Sequence, residues 1–247
     1  MKPHAYRTYF WLLLLTLLTS VAILPAAALL KIPLTPPLAA LAVAFPVALT
    51  ALTAGAGLPA LKALKSGPPD LLGWLRGAAG GWQMVALALP VAILAGLVIG
   101  VLQTAVAYAI LHLLNLRLTP TPFWLAIIGA VSGALREEIW YRLGLMTVFI
   151  WIGTRLRKRE SPRPGIVWTA NILAALCFGA QHFSSDFTLL SGQANAAVLG
   201  AIILLYHAAA GVVFGWVYWR RGLVAAMTTH FCADMAIAIL NALVGVP

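Results

Sequence analysis

Three of the chain's six acidic residues lie inside otherwise apolar stretches, each at helical spacing from a histidine or an arginine. They fall in Arg136-Glu137-Glu138-Ile139-Trp140-Tyr141-Arg142 and His230-Phe231-Cys232-Ala233-Asp234, and a third stretch, Phe178-Gly179-Ala180-Gln181-His182, adds an imidazole. An ionised side chain at the centre of a bilayer costs roughly 2.5–3.5 kcal/mol on insertion scales. A chain that otherwise avoids charge keeps such groups where they are used. The three stretches point to a reaction centre inside the membrane.

Glu138 and Arg142 are four residues apart, share a helix face and can pair in low dielectric. Glu137 lies about 100° around the helix from Glu138 and is free to face a cavity between helices. This division makes Glu137 the working carboxylate and Glu138–Arg142 its support. Phe178 and His182 share one helix face, as do His230 and Asp234. A carboxylate, two imidazoles and a second carboxylate suit hydrolysis. The desolvated carboxylate acts as base, a histidine shares the proton and orients water, and the remaining donors meet the oxyanion. Asp234 helps there indirectly, by orienting His230 or by being protonated.

The elements that must carry these groups follow from composition. Of 247 residues, 62% are hydrophobic and 9% charged, whereas an ordinary soluble domain has about 25% charged residues. The expectation is an all-α, polytopic transmembrane bundle. Apolar runs at 9–30, 38–57, 82–114, 123–153, 167–183, 194–219 and 223–246 give seven spans, or eight if a long run breaks. Residues 9–30 exceed the h-region of a signal peptide and read as a retained first span. Residues 58–81, with Lys62, Lys65, Asp70 and Arg76 split by Gly67-Pro68-Pro69, read as interfacial pieces. The chain is expected to be a single membrane domain, 1–247. Within it, N-terminal helices and the interfacial segment occupy 1–120, and the motifs occupy 121–247.

The net charge of +10 is spread over the ends of the apolar runs. With the N-terminus in the cytoplasm, basic residues at 2–7, 62–76, 155–163 and 220–221 fall inside, and only Lys31 and Arg117 fall outside. The expected location is a prokaryotic plasma membrane, with no nucleic-acid partner. Gly96/Gly100, Gly129/Gly133 and Gly211/Gly215 have the spacing of close helix packing. Counting rise along the spans puts Glu137 and His230 nearer one face of the membrane and His182 nearer the other. They meet only if the fifth helix starts deep, or if the fourth tilts or breaks.

Other chemistries fit less well. Two histidines and a glutamate could hold zinc, the minority alternative, but His-Glu-x-x-His is absent and no cofactor is expected. Ser132 lacks a Gly-x-Ser-Gly setting. Cys232 lies roughly 200° around its helix from His230, and Cys177 has no base at helical spacing. His207, beside Tyr206 with no acidic residue three or four positions away, reads as packing. A transporter or proton relay could use the same groups, although no matching broken halves are visible.

Glu-Glu-x-x-x-Arg, Phe-x-x-x-His and His-x-x-x-Asp, in that order on separate spans, resemble the motif set of the CPBP intramembrane proteases. That family includes the type II CAAX prenyl endopeptidases and the bacteriocin-processing and immunity (Abi) proteins. The resemblance covers residues 123–246. It implies that Glu137 and His182 activate water, that His230 and Asp234 serve the oxyanion, and that Glu138 and Arg142 support the first motif. Eukaryotic-type members carry asparagine where Asp234 stands. The implied substrate is a peptide or protein, lipidated or not: a prenylated C-terminal tail, a leader peptide or a membrane-anchored partner. A non-catalytic immunity or scaffold role is the remaining alternative.

Overall fold

A computed structural model describes residues 3–29, 35–64, 66–76, 81–113, 121–185 and 196–244, all helical apart from short turns. In chain order the helices are α1 (Pro3–Val21), α2 (Ile23–Leu29), α3 (Pro36–Ala63), α4 (Pro69–Arg76), α5 (Gly81–Leu113) and α6 (Phe123–Glu137). A π-helical segment, Glu138–Met146, follows without a break. It continues into α7 (Thr147–Leu156), and α8 (Pro164–Ser185), α9 (Ala196–Arg221) and α10 (Leu223–Val244) complete the bundle. Lys31, Lys65 and Arg117, named above for topology, lie outside the described residues, as does Lys2.

Among the described residues, six helices are long and apolar enough to cross a membrane: Tyr6–Leu29, Pro36–Ala63, Trp82–Leu113, Pro164–Phe183, Ala196–Arg221 and Leu223–Val244. Only a helix satisfies its own backbone within hydrocarbon, so an apolar sequence of this kind folds as a bundle. Pro46, Pro59 and Pro90 sit inside helices α3 and α5 without ending them, a tolerance usual among packed membrane helices. The remaining expected span, 123–153, is not one long α-helix. It is the composite of α6, the π segment and α7, broken at Glu138. Helix α3 also continues past 57 to Ala63, so part of the expected interfacial segment belongs to that helix.

Two tight seams hold the helices that bear the histidines. Gly96 and Gly100 of α5 lie directly against the backbone of α10 at Thr229 and Ala233. Gly211 and Gly215 of α9 lie against Ala175 and Asn171 of α8. A Cβ at Gly96, Gly100 or Gly215 would overlap the partner helix, and one at Gly211 would press on Ala175 and Phe178 at 3.1 Å, so the small-residue spacing serves close packing there. Gly129 and Gly133 depart from that expectation. A Cβ on Gly129 would meet nothing within 4 Å, and one on Gly133 only Asp234 Oδ2 at 3.8 Å. These two leave space open in front of α6.

Candidate active site

The π segment sets the first part of the site. A π-helix widens the turn and changes the direction of side chains on either side of it, and such segments are frequent at functional sites. Thr147 closes the segment. Its backbone N–H and its hydroxyl both donate toward the Arg142 carbonyl, and the hydroxyl also contacts Tyr218 Oη at 2.7 Å. Within the turn, Glu138 and Arg142 are fully buried, and Arg142 Nε donates to Glu138 Oε2 at 3.2 Å. The guanidinium lies over the Phe178 ring, 5.4 Å from its centroid. Adjacent Glu137 faces the other way and lines a cavity.

Helix α10 brings His230 to both glutamates. Its Nδ1 lies 3.0 Å from Glu138 Oε1, its Nε2 3.8 Å from Glu137 Oε2 and 3.6 Å from Asp234 Oδ2. Arg142 already donates to Glu138, so the His230 Nδ1–H is the natural donor to its second oxygen. That fixes the ring's orientation and turns Nε2 toward the two outer carboxylates. Two carboxylates facing one ring nitrogen repel unless a proton is held among the three. The His230 ring is clamped by Phe214, stacked at 4.5 Å, and by the edge of Phe178 at 5.6 Å. The His230 side chain is 6% exposed, against 18% for Glu137 and 35% for Asp234. The imidazole therefore stands behind the two carboxylates, which meet the cavity.

Helix α8 supplies the second imidazole. His182 Nδ1 lies 2.9 Å from the Phe178 carbonyl, four residues back. A carbonyl only accepts, so Nδ1 carries the hydrogen and a neutral ring presents its acceptor at Nε2. Tyr141 Oη donates to Gln181 Oε1 at 2.7 Å, tying the first motif's helix to the turn before His182. Phe178 is the hub of the cluster: its ring contacts those of Tyr141, His182, His207, Phe214 and His230.

Glu137, His182, His230 and Asp234 line one cavity of about 470 Å³ bounded by α5, α6, α8, α9 and α10. Both ways foreseen for His182 and Glu137 to meet have a counterpart here: the fourth span breaks at Glu138, and the fifth helix starts earlier than expected, at Pro164. Glu138 and Arg142 lie behind the cavity wall, in the ion pair.

His207 of α9, expected to pack, does so by stacking face to face on His182, with centroids 3.7 Å apart, and it also lines the cavity, which was not expected. Its neighbour is on another helix, so spacing within α9 could not reveal it. The available signal was an ionisable ring inside an apolar span. Ser132 is engaged elsewhere, taking Arg136 Nε on its carbonyl at 3.0 Å and Arg136 Nη2 on its hydroxyl at 3.3 Å. Among the described residues, no group of three or more His, Cys, Asp or Glu side chains is disposed to hold a metal ion.

Residues 119–236 match the family model described as Rce1-like, type II CAAX prenyl endopeptidase. No curated protein and no solved structure matches the chain. The matched region begins just before α6 and ends just past Asp234, so it contains all three motifs and the helices that bring them together. The match over residues 119–236 supports a place for this motif-bearing region in the Rce1-like, type II CAAX prenyl endopeptidase family, a family of membrane proteases whose substrates are peptides or proteins.

Proposed function

We propose that this protein is a metal-free intramembrane endopeptidase in which Glu137 and His182 activate a water against a peptide carbonyl. Glu137 takes a proton from the water as its oxygen bonds to the carbonyl carbon. The new oxyanion accepts a hydrogen bond from His230 Nε2–H, which is turned into the cavity by the bond from Nδ1 to Glu138. Collapse of the tetrahedral intermediate breaks the C–N bond, and the proton held on Glu137 passes to the departing amine. His182 Nε2 orients the water, and Asp234 balances His230. The observation that carries this reading is the convergence of the four side chains on one cavity, with His230 Nε2 within 4 Å of both outer carboxylates.

We further propose that the substrate is a lipidated C-terminal tail of the CAAX type. Ile110, Leu111, Leu199, Ile202 and Ile203, on α5 and α9, give the cavity an apolar lining beside the carboxylates' polar one. The dispersed basic residues support a cytoplasmic N-terminus. The single domain, with residues 121–247 as its catalytic core, is part of the same proposal.

The test is cleavage of matched farnesylated and unlipidated peptides, and of a leader-type peptide, by purified protein with and without chelator. Cleavage of the farnesylated peptide, unchanged by chelator, is expected. Glu137→Gln is expected to lower the rate by about 10²–10⁴-fold, the usual range for losing a general base, while the protein stays folded and membrane-inserted. Undiminished proteolysis in that variant overturns the assignment. Loss with chelator favours a metal, leader-only cleavage rejects the substrate class, and gradient-driven ion flux without cleavage favours a carrier.

A further inference from the structure

Away from the active site, the hairpin between α7 and α8 encloses a groove of about 630 Å³ that the hydrolytic reading does not use. Its inner end is apolar, walled by Phe149, Ile152, Ile166 and Leu173. Its mouth carries Arg157, Arg159 and Arg163. Residues 155–163 hold five basic side chains against the single acid Glu160. The turn that presents them is backbone-fixed. Arg157 N–H donates to the Gly153 carbonyl and Arg159 N–H to the Thr154 carbonyl, while the Arg163 carbonyl accepts from Ile166 and Val167 at the start of α8. Lys158 adopts φ +51 to complete the reversal.

We propose that this groove seats one anionic phospholipid, its phosphodiester on Arg157, Arg159 and Arg163 and an acyl chain along Ile152 and Leu173. Three features select this occupant. Guanidinium groups match phosphate oxygens in planar, bidentate geometry. The positive end of α8 lies beside Arg163 and adds to the attraction. The wall leading away from the arginines stays apolar and open to the surroundings, with Ile152 40% and Leu173 46% exposed, as a lipid chain requires and a soluble anion does not. Basic pockets between membrane helices are where charged headgroups collect.

The groove also has direct routes to the active site. Helix α7 runs back into the π segment bearing Glu138 and Arg142, and α8 runs forward to Phe178 and His182. A lipid wedged between them fixes the splay of α7, which continues the π segment that follows Glu137, and of α8, which carries the water-orienting imidazole.

The test uses the full chain in nanodiscs of phosphatidylcholine with a minority of phosphatidylglycerol, released into neutral detergent and read by native mass spectrometry for retained lipid. Wild type is expected to keep one phosphatidylglycerol in preference to phosphatidylcholine. Each of Arg157→Gln, Arg159→Gln and Arg163→Gln is expected to reduce retention about fivefold, whereas Arg220→Gln leaves it unchanged. Gly165→Leu separates a seat from a charged surface. Gly165 lines the groove and has nothing within 4 Å of its Cβ position, so a leucine there has room to start into the groove and keeps every charge. Retention is expected to fall in that variant. Equal retention of the two lipids, or charge variants that fall while Gly165→Leu does not, overturns the site.

Discussion

His230 is the residue on which the centre turns, because its two nitrogens face different carboxylates. Nδ1 is committed to buried Glu138, and Nε2 is left to the cavity between Glu137 and Asp234. Adjacent glutamates thus have unlike tasks, and truncating them should have unlike costs. Removing Glu138 strands the Arg142 guanidinium in a fully buried place and takes away the partner of His230 Nδ1. Breaking a buried pair costs about 3–5 kcal/mol, so Glu138→Ala should lower thermal stability in detergent by that much. Glu137→Gln keeps the shape of a side chain that already meets the cavity and should leave stability nearly unchanged while removing activity. Equal losses of stability would contradict the division. The Glu138–Arg142 half of this arrangement was legible in the sequence, because both residues sit on one helix at a fixed angle. The bond from His230 to Glu138 spans 92 positions, and the stack of His207 on His182 joins two helices. No periodicity within a helix encodes contacts of that kind.

At the level of elements, the sequence marked the long apolar helices through hydropathy and length. It could not mark the π segment, because one widened turn changes neither composition nor run length. Nor did it mark the task of Asp70. This residue of α4, outside the membrane-crossing helices, is fully buried and spans two elements. Oδ1 accepts the Leu71 N–H at 2.6 Å, and Oδ2 accepts the Val224 N–H at 3.0 Å, at the open N-terminus of α10. Gly222, with φ +113, makes the turn into α10, and the Asp70 carboxylate fills the place a Cβ would need. Asp70 therefore holds the start of the helix that carries His230. Burial pushes its carboxyl above the ordinary aspartate range, against the lowering effect of the backbone donors. The folded state then keeps a proton that the unfolded state has already lost. Linkage makes stability from this group fall as pH rises through that interval and level off above it. Asp70→Asn does not titrate. Wild type should hold its largest advantage over Asp70→Asn at the acid end, the gap narrowing with rising pH in unfolding midpoints taken across a pH series. A gap that widens instead would refute the role of burial.

Across the whole molecule, one spacing of small residues has been put to two opposite uses, and the difference decides what the bundle can admit. At Gly96 and Gly100 the missing side chain lets α5 touch the backbone of α10, holding His230 and Asp234 in place. At Gly129 and Gly133 it keeps neighbours away and leaves the cavity open beside Glu137. The sequence shows the same i,i+4 glycines in both cases, so their sense depends on which face the partner helix occupies. Substitution should separate them. Gly96→Ala forces a methyl into a packed seam and should destabilise the protein by about 1–3 kcal/mol, whatever the substrate. A Cβ at Gly129 meets nothing within 4 Å, so Gly129→Leu should leave the unfolding midpoint alone. It lies two turns, about 12 Å along the helix, from Glu137, too far to disturb the proposed acid–base groups. Its added carbons instead occupy room in front of the apolar wall formed by Leu199, Ile202 and Ile203. Matching of apolar groups to a pocket is worth about 10–200-fold per methylene in kcat/KM. Gly129→Leu should therefore cut cleavage of a farnesylated peptide by at least about tenfold and leave an unlipidated peptide with the same scissile bond little affected. Equal loss on both peptides would mean that the variant damages the catalytic groups themselves. No loss on either would mean that the lipid chain lies elsewhere and that the open face of α6 has no part in choosing the substrate.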